Sequence, residues 1–183
     1  MSQLAENPIV KSIGECGLDY FRNLSDPSDQ QKCFEVHLAL AEELNKPLFL
    51  HQRDAYEDFI NILDNHSPTV PIIVHCFTDG IRELKGYLER GYYVGITGWI
   101  ADSRRNQSLI AAIPELPLER LLIETDAPWL LPRNIPKFRK IKRNEPKYLS
   151  YVVQAIATAT GHNEHSIIEH STRNARRFFG WTN

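Results

Sequence analysis

Glu15, His51, His75 and Asp126 are the residues of this chain whose chemistry and placement point to a shared task. Each stands at the end of a short apolar run, and a parallel sheet gathers such ends on one rim, where open α/β sheets and barrels place their ligands. Two imidazoles and two carboxylates on one rim make a mixed nitrogen and oxygen set suited to a divalent cation. A cation held there lowers the pKa of an attacking water toward neutrality, and Asp126 can both ligate and accept the proton. The pattern is that of a metal-dependent hydrolase.

The individual signals differ in weight. In Ile13-Gly14-Glu15-Cys16-Gly17-Leu18-Asp19 the glycines let the backbone turn tightly and expose Glu15, although a glutamate after a strand is more often a solvated or helix-capping residue. His51 is followed by Gln52-Arg53-Asp54, so an imidazole, a guanidinium and a carboxylate leave one strand tip together. His75, in Ile72-Ile73-Val74-His75-Cys76-Phe77, repeats the arrangement, and the repetition in consecutive βα units gives both histidines their weight. Cys76 is expected on the other side of its strand, packing rather than ligating. If the last strand persists far enough, Glu124 and Asp126 share a face, with Asp126 at the tip and Glu124 one layer deeper. For Glu124 a structural ion pair and a catalytic role both stand open. His162, His165 and His170 fall in a late polar helical region and read as surface residues.

Basic residues cluster directly after Asp126. Arg133, Lys137, Arg139, Lys140, Lys142, Arg143 and Lys147 face a single acid, Glu145. A charge run is commonly a solvated loop, but beside a metal rim it can hold phosphate oxygens, with Trp99, Trp129 and Phe138 to stack unpaired bases. Arg104 and Arg105 extend the same basic face, and Arg53 would neutralise phosphate at the rim.

The positioning elements follow from periodicity. Nearly continuous apolar runs at Ile9 to Glu15, Pro47 to His51, Pro71 to Phe77, Tyr92 to Trp99 and Arg120 to Glu124 read as strands covered on both faces. Between them Phe34, Leu38, Ala41 and Leu44 keep helical spacing after Ser25-Asp26-Pro27. Ala55, Phe59 and Leu63 do so after Asp54, and Ile81, Leu84 and Leu88 before Gly91. Asn144 is expected to cap a helix carrying Leu149, Val152, Val153 and Ile156, closed by Gly161, and a final helix carries Ala175, Phe178 and Phe179. This alternation makes the fold class α/β, built from βα units in one domain.

Composition narrows the classes further. With 183 residues, 42% hydrophobic and 24% charged, the chain suits one folded domain. A net charge of -2 gives no global attraction to polyanions, so any nucleic-acid footprint is a local patch. Cys16, Cys33 and Cys76 lack paired spacing, which argues against a disulfide framework or a finger-type zinc site and fits reduced thiols in a cytosol. No basic segment with a long apolar stretch opens the chain and no run approaches membrane-spanning length, so a cytoplasmic location is expected.

Taken together, Ile13 to Asp19, Leu50 to Asp54, Val74 to Thr78, Gly95 to Gly98, Ile123 to Pro128 and Arg143 to Pro146 resemble, in order and spacing, the TatD family of metal-dependent deoxyribonucleases, within the amidohydrolase-like (β/α)8 barrels. The resemblance implies a partial TIM-type barrel, strands four to eight with their helices, and places Glu15, His51, His75 and Asp126 at the family's metal-ligand positions, with Arg53 and Arg143 as substrate contacts. It implies a nuclease on DNA phosphodiesters, a 3′ to 5′ exonuclease on single-stranded DNA or RNA, with Mg2+ as the usual ion and Zn2+ or Mn2+ as substitutes. The family's His-x-His near the first strand and Gly-x-His-Pro near the third have no counterpart in this sequence, so an N-terminally incomplete domain, weak or absent activity and self-association through open sheet edges are expected. The rival readings are an amidohydrolase on a small cyclic amide or ester and a noncatalytic fragment that binds nucleic acid. Glu15, where that rival commonly carries a carbamylated lysine, and the basic loop both favour the nuclease.

Overall fold

The computed structural model of the chain describes residues 2–181, the side chains of Ser2 and Phe138 excepted. It forms two compact units, one made of the chain up to His75 and from Phe178 onward, the other of Cys76 to Arg177.

In the first unit a short helix, α1 (Ser2–Ala5), precedes β1 (Ile13–Asp19), α2 (Pro27–Glu43), β2 (Leu48–Arg53), α3 (Tyr56–His66) and β3 (Ile72–Val74). β1, β2 and β3 pair side by side and in parallel, as consecutive βαβ units do. The Asp26 side chain caps α2 by accepting from Ser28 N, and Pro27 follows at the first helical position. Phe34 of α2 and Phe59 of α3 stack at 5.2 Å between ring centroids, and both are fully buried. Each such burial contributes roughly 1.5–3 kcal/mol. Tyr20 Oη donates to Asp58 Oδ2 at 2.8 Å and Gln31 Nε2 to the same oxygen at 2.9 Å, tying the end of β1 to both helices.

The second unit holds α4 (Ile81–Glu89), β4 (Tyr93–Ile96), α5 (Gln107–Ala112), β5 (Leu121–Ile123), α6 (Leu149–Thr160) and most of α7 (Glu164–Phe179). β4 and β5 are parallel, with Val94 opposite Leu121 and Ile96 opposite Ile123. α7 secures β5 through side chains: Ile123 N donates to Ser171 Oγ at 2.9 Å, and Asn174 Nδ2 donates to the carbonyls of Leu118 and Leu121 at 2.7 and 2.8 Å. Gly161 ends α6 in the left-handed conformation, as its sequence position implies. Among the described residues no helix is long and apolar enough to cross a membrane, and all three cysteines are free thiols.

The structure moves several expected boundaries. β1 begins at Ile13 rather than Ile9, and Ile9 is 80% exposed. Lys46 Nζ takes the carbonyls of Asn7 and Val10, so that stretch spends its acceptors on a side chain instead of a ladder. β2 runs on to Arg53, whereas β3 and β5 stop at Val74 and Ile123. Asn144 does not cap α6. Its buried amide donates to the carbonyls of Trp129 and Leu130 at 2.8 and 3.3 Å, and Tyr148 occupies the cap position.

Candidate metal centre

The strands of the first unit bring Glu15, His51 and His75 together. Between Gly14, which pairs with Phe49, and Cys16, which pairs with Leu50, the register slips, so Glu15 occupies a bulge without a cross-strand partner. Bulges of this kind re-aim a side chain. Glu15 Oε1 lies 3.3 Å from His51 Nδ1 and 3.8 Å from His75 Nε2. One donor atom from each of the three falls within 4.8 Å of the others. Ligand atoms about 2.1 Å from a shared ion stand at most roughly 4.2 Å apart, so small side-chain adjustments separate this triad from coordination.

Gly17 makes the approach of β1 to β2 feasible. Its φ is +144°, and a Cβ there would run into the carbonyl oxygen of His51. His75 is 7% exposed, fixed by its N–H donating to Leu50 O at 2.7 Å and by its ring resting 4.9 Å from that of Phe49. His51 Nδ1 and Nε2 are buried without a hydrogen bond of good geometry. Buried polar atoms seldom stay unsatisfied, and an ion on this nitrogen-oxygen set would satisfy one of them. The residues present therefore fit a divalent metal. Burial also holds the His51 imidazole below its ordinary pKa, with the Glu15 carboxylate pulling against it, the His75 imidazole adding to it and Asp19 opposing it. The neutral ring is the form that ligates.

Asp19 is the residue that sequence reasoning left without a role. Its Oδ2 lies 3.5 Å from His51 Nε2. Asp19 N donates to Gln30 Oε1 at 2.8 Å, Gln30 Nε2 returns to Asp19 O at 3.3 Å, and Arg22 N donates to Asp19 Oδ1 at 2.7 Å. β1 continues past the bulge to Asp19, where regular pairing puts residues 17 and 19 on one face, opposite His51 and Arg53. Glu15, Asp19, His51, Arg22, Gln30 and His37 contribute to the wall of an open cavity of about 450 Å³. Arg53, two residues beyond His51 on β2, places its guanidinium 3.7 Å from the centroid of the exposed Phe21 ring.

Asp126 lies in the second unit, beyond the end of β5. The chain remains strand-like through Glu124, whose N–H donates to Ile96 O at 3.0 Å, and Asp126 O accepts from Trp129 N at 2.6 Å. Glu124 Oε1 accepts from Cys76 N at 2.7 Å. Gly95 leaves the room for this, because a Cβ there would collide with the Glu124 carboxylate. The expectation that Cys76 packs on the far side of a strand fails, since β3 ends before it and the residue turns through a φ of +50°. Cys76 Sγ meets Thr97 Oγ1 at 3.3 Å. Burial pushes the Cys76 thiol well above its usual pKa, and the neighbouring Asp126 carboxylate adds to that.

The basic segment is mostly exposed, including Lys137, Arg139, Lys140, Lys142 and Arg143. Lys147 is taken by Glu145 at 3.1 Å. Trp129 is 73% exposed, as a stacking residue must be, and the side chain of Phe138 lies outside the described residues. Arg104 and Arg105 are not free solvated cations, because both are drawn onto Asp102. His162 and His165 are exposed, in line with the surface reading. His170, half-buried, meets Ser166 O at 2.9 Å and stands 3.7 Å from Glu119.

The pattern of the TatD-related DNases matches this chain over residues 1–180. The chain belongs to that family. It is 46% identical over 181 residues to the 3′-5′ ssDNA/RNA exonuclease TatD of Erwinia amylovora, covering 98% of this chain and 70% of the relative. The protein of the same name from Erwinia tasmaniensis is 47% identical over 180 residues, with the same coverage of 98% and 70%. Among solved structures, a TatD homologue from Escherichia coli superposes with a TM-score of 0.86 at 25% identity, covering 99% of this chain and 69% of that one. A TatD-family hydrolase from Entamoeba histolytica also gives 0.86, at 24% identity, over 98% and 67%; this second likeness speaks to the fold alone.

Proposed function

We propose that this TatD-family chain is a divalent-metal-dependent nuclease that hydrolyses phosphodiester bonds, working from the 3′ end of single-stranded DNA or RNA. The observation that carries the reading is the Glu15, His51 and His75 triad, a nitrogen-oxygen donor set built into β1, β2 and the end of β3 of a chain whose relatives bear the name of such exonucleases. Mg2+ is the proposed ion, and two imidazoles beside a carboxylate also accommodate Mn2+ or Zn2+. The likeness to solved TatD structures supports assigning the strands to positions four to eight of a (β/α)8 barrel.

When bound, the cation supplies a polarised phosphate and an activated water. The protein's own residues have separate tasks. Glu15, His51 and His75 would hold the ion, and Asp19, 3.5 Å from His51 Nε2, would favour the tautomer that leaves Nδ1 free to ligate. Asp126 enters through its sequence motif as a fourth ligand and as the acceptor of the water's proton. Arg53 and Arg143 neutralise the phosphates of the bound strand.

Digestion of a 5′-labelled single strand by excess protein, with Mg2+ or with EDTA, tests the reading. A ladder shortening from the 3′ end, lost in EDTA and in His75→Ala, is expected. Products formed equally in EDTA or by His75→Ala, or binding without cleavage under every condition, would overturn it.

A further inference from the structure

Asp102 is only 4% exposed, and three arginines converge on it. Arg104 donates from Nε to Oδ1 at 2.8 Å and from Nη2 to Oδ2 at 2.6 Å. Arg105 donates from Nε to Oδ2 at 3.2 Å, and Arg133 Nε stands 3.7 Å from Oδ1. A single bidentate arginine suffices to neutralise a carboxylate. The Arg104 and Arg105 guanidiniums against this one carboxylate leave one positive charge that Asp102 does not balance.

The charge faces outward on a hydrogen-bonded turn. Side chains of Arg104 and Arg105 are 61% and 44% exposed. Asp102 N donates to Trp99 O at 2.9 Å, and Asp102 O accepts from Arg105 N at 2.9 Å and Asn106 N at 3.1 Å. Thr97 Oγ1 caps the preceding turn by accepting from Trp99 N at 3.4 Å. The Arg105 guanidinium carbon lies 3.8 Å from the centroid of the Trp99 ring, with the side chain 44% exposed, so the cation is held against an aromatic ring where a strand can reach it. Guanidiniums pre-organised in this way bind phosphate through donors the carboxylate does not use, and they stack on unpaired bases.

We propose that Trp99, Arg104, Arg105 and Arg133, gathered by Asp102, form a subsite for single-stranded nucleic acid, binding a backbone phosphate and stacking one base on the Arg105 plane. Asp102 is its positioning residue. An unpaired base is required because a duplex offers no free ring face to that plane. The subsite deepens the nuclease reading by naming where a strand is gripped apart from the metal, but binding there needs neither metal nor cleavage.

The test is fluorescence anisotropy of a 5′-fluorescein 20-nucleotide single strand with the full chain in EDTA, across a salt series. Arg104→Ala/Arg105→Ala is expected to raise Kd about tenfold and to lower the slope of log Kd against log salt by about 0.7, the value for one phosphate contact on a single strand. Arg104→Lys/Arg105→Lys, which keeps the charge but not the planar fork, is expected to retain the slope while still weakening binding. An unchanged Kd and slope in the alanine pair, with its melting curve intact, would overturn the proposal. Should the alanine pair fail to fold, the lysine pair decides: binding equal to the parent chain overturns it. Equal competition by polyglutamate, or equal affinity for a duplex of the same length, would also overturn it. Loss of cleavage with this binding retained would count only against the nuclease reading.

Discussion

His51 Nε2 lies 3.5 Å from Asp19 Oδ2, while the other ring nitrogen, Nδ1, faces Glu15 Oε1 at 3.3 Å. With the proposed ion beside Glu15, the imidazole would have its tautomer chosen for it: the nitrogen toward the ion would lose the proton and the far one, facing Asp19, would keep it. Gln30 and Arg22 hold Asp19 in place through main-chain groups and one carboxylate oxygen.

Asp19→Asn keeps the Gln30 contacts, which use the Asp19 backbone, and removes the charge facing Nε2. Metal affinity is expected to fall about tenfold, the lower end of the usual effect of such a partner, without loss of fold. Calorimetric titration with Mn2+ checks this. Affinity equal to that of the parent chain would show that Asp19 does not act on His51.

Asp102 gives a pH signature of its own. The Arg104 hydrogen bonds hold its carboxyl well below the ordinary carboxylate range. A carboxyl whose folded pKa is depressed stabilises the fold at every pH above its unfolded value, and that contribution drains away as pH falls through the folded value. The parent chain is therefore expected to be more stable than Asp102→Asn at pH 7, with the gap closing as the solution is taken below pH of about 4. Urea unfolding at a series of pH values measures it, and a gap independent of pH would contradict the assignment.

Gly95 makes room for Glu124. Adding a methyl group forces the carboxylate off Cys76 N, or bends β4 away from it. Gly95→Ala is expected to lose about 1–3 kcal/mol of stability, the usual cost of overpacking. Thermal unfolding gives the number. A melting temperature at or above the parent's would mean that Glu124 relocates freely.

Much of this was legible in the sequence because apolar runs and helical spacing report burial directly. Phe34, Leu38 and Ala41 on α2, and Phe59 and Leu63 on α3, are buried where the spacing put them. Glu15, His51 and His75 could be picked out because each follows such a run, and the structure brings the three together. Strand ends were less legible. Ile9 and Val10 are as apolar as any strand, yet Lys46 claims the nearby carbonyls, and no local pattern announces a lysine 36 residues away. Asp19 passed unnoticed since the strand was expected to stop at Glu15. The sequence places Arg104 and Arg105 on a basic face but does not show what gathers them, because Asp102 looks like any turn residue until its burial and three partners are seen. Asn144, chemically a good cap, was drawn instead to the carbonyls of Trp129 and Leu130.

The account depends most on one ion held by Glu15, His51 and His75. An anomalous difference map from crystals grown with Zn2+, measured on both sides of the zinc edge, examines that directly. The expected result is a peak with Glu15 oxygen and the His51 and His75 nitrogens at about 2.0–2.2 Å. A peak bound elsewhere, or none at these three side chains, would contradict it.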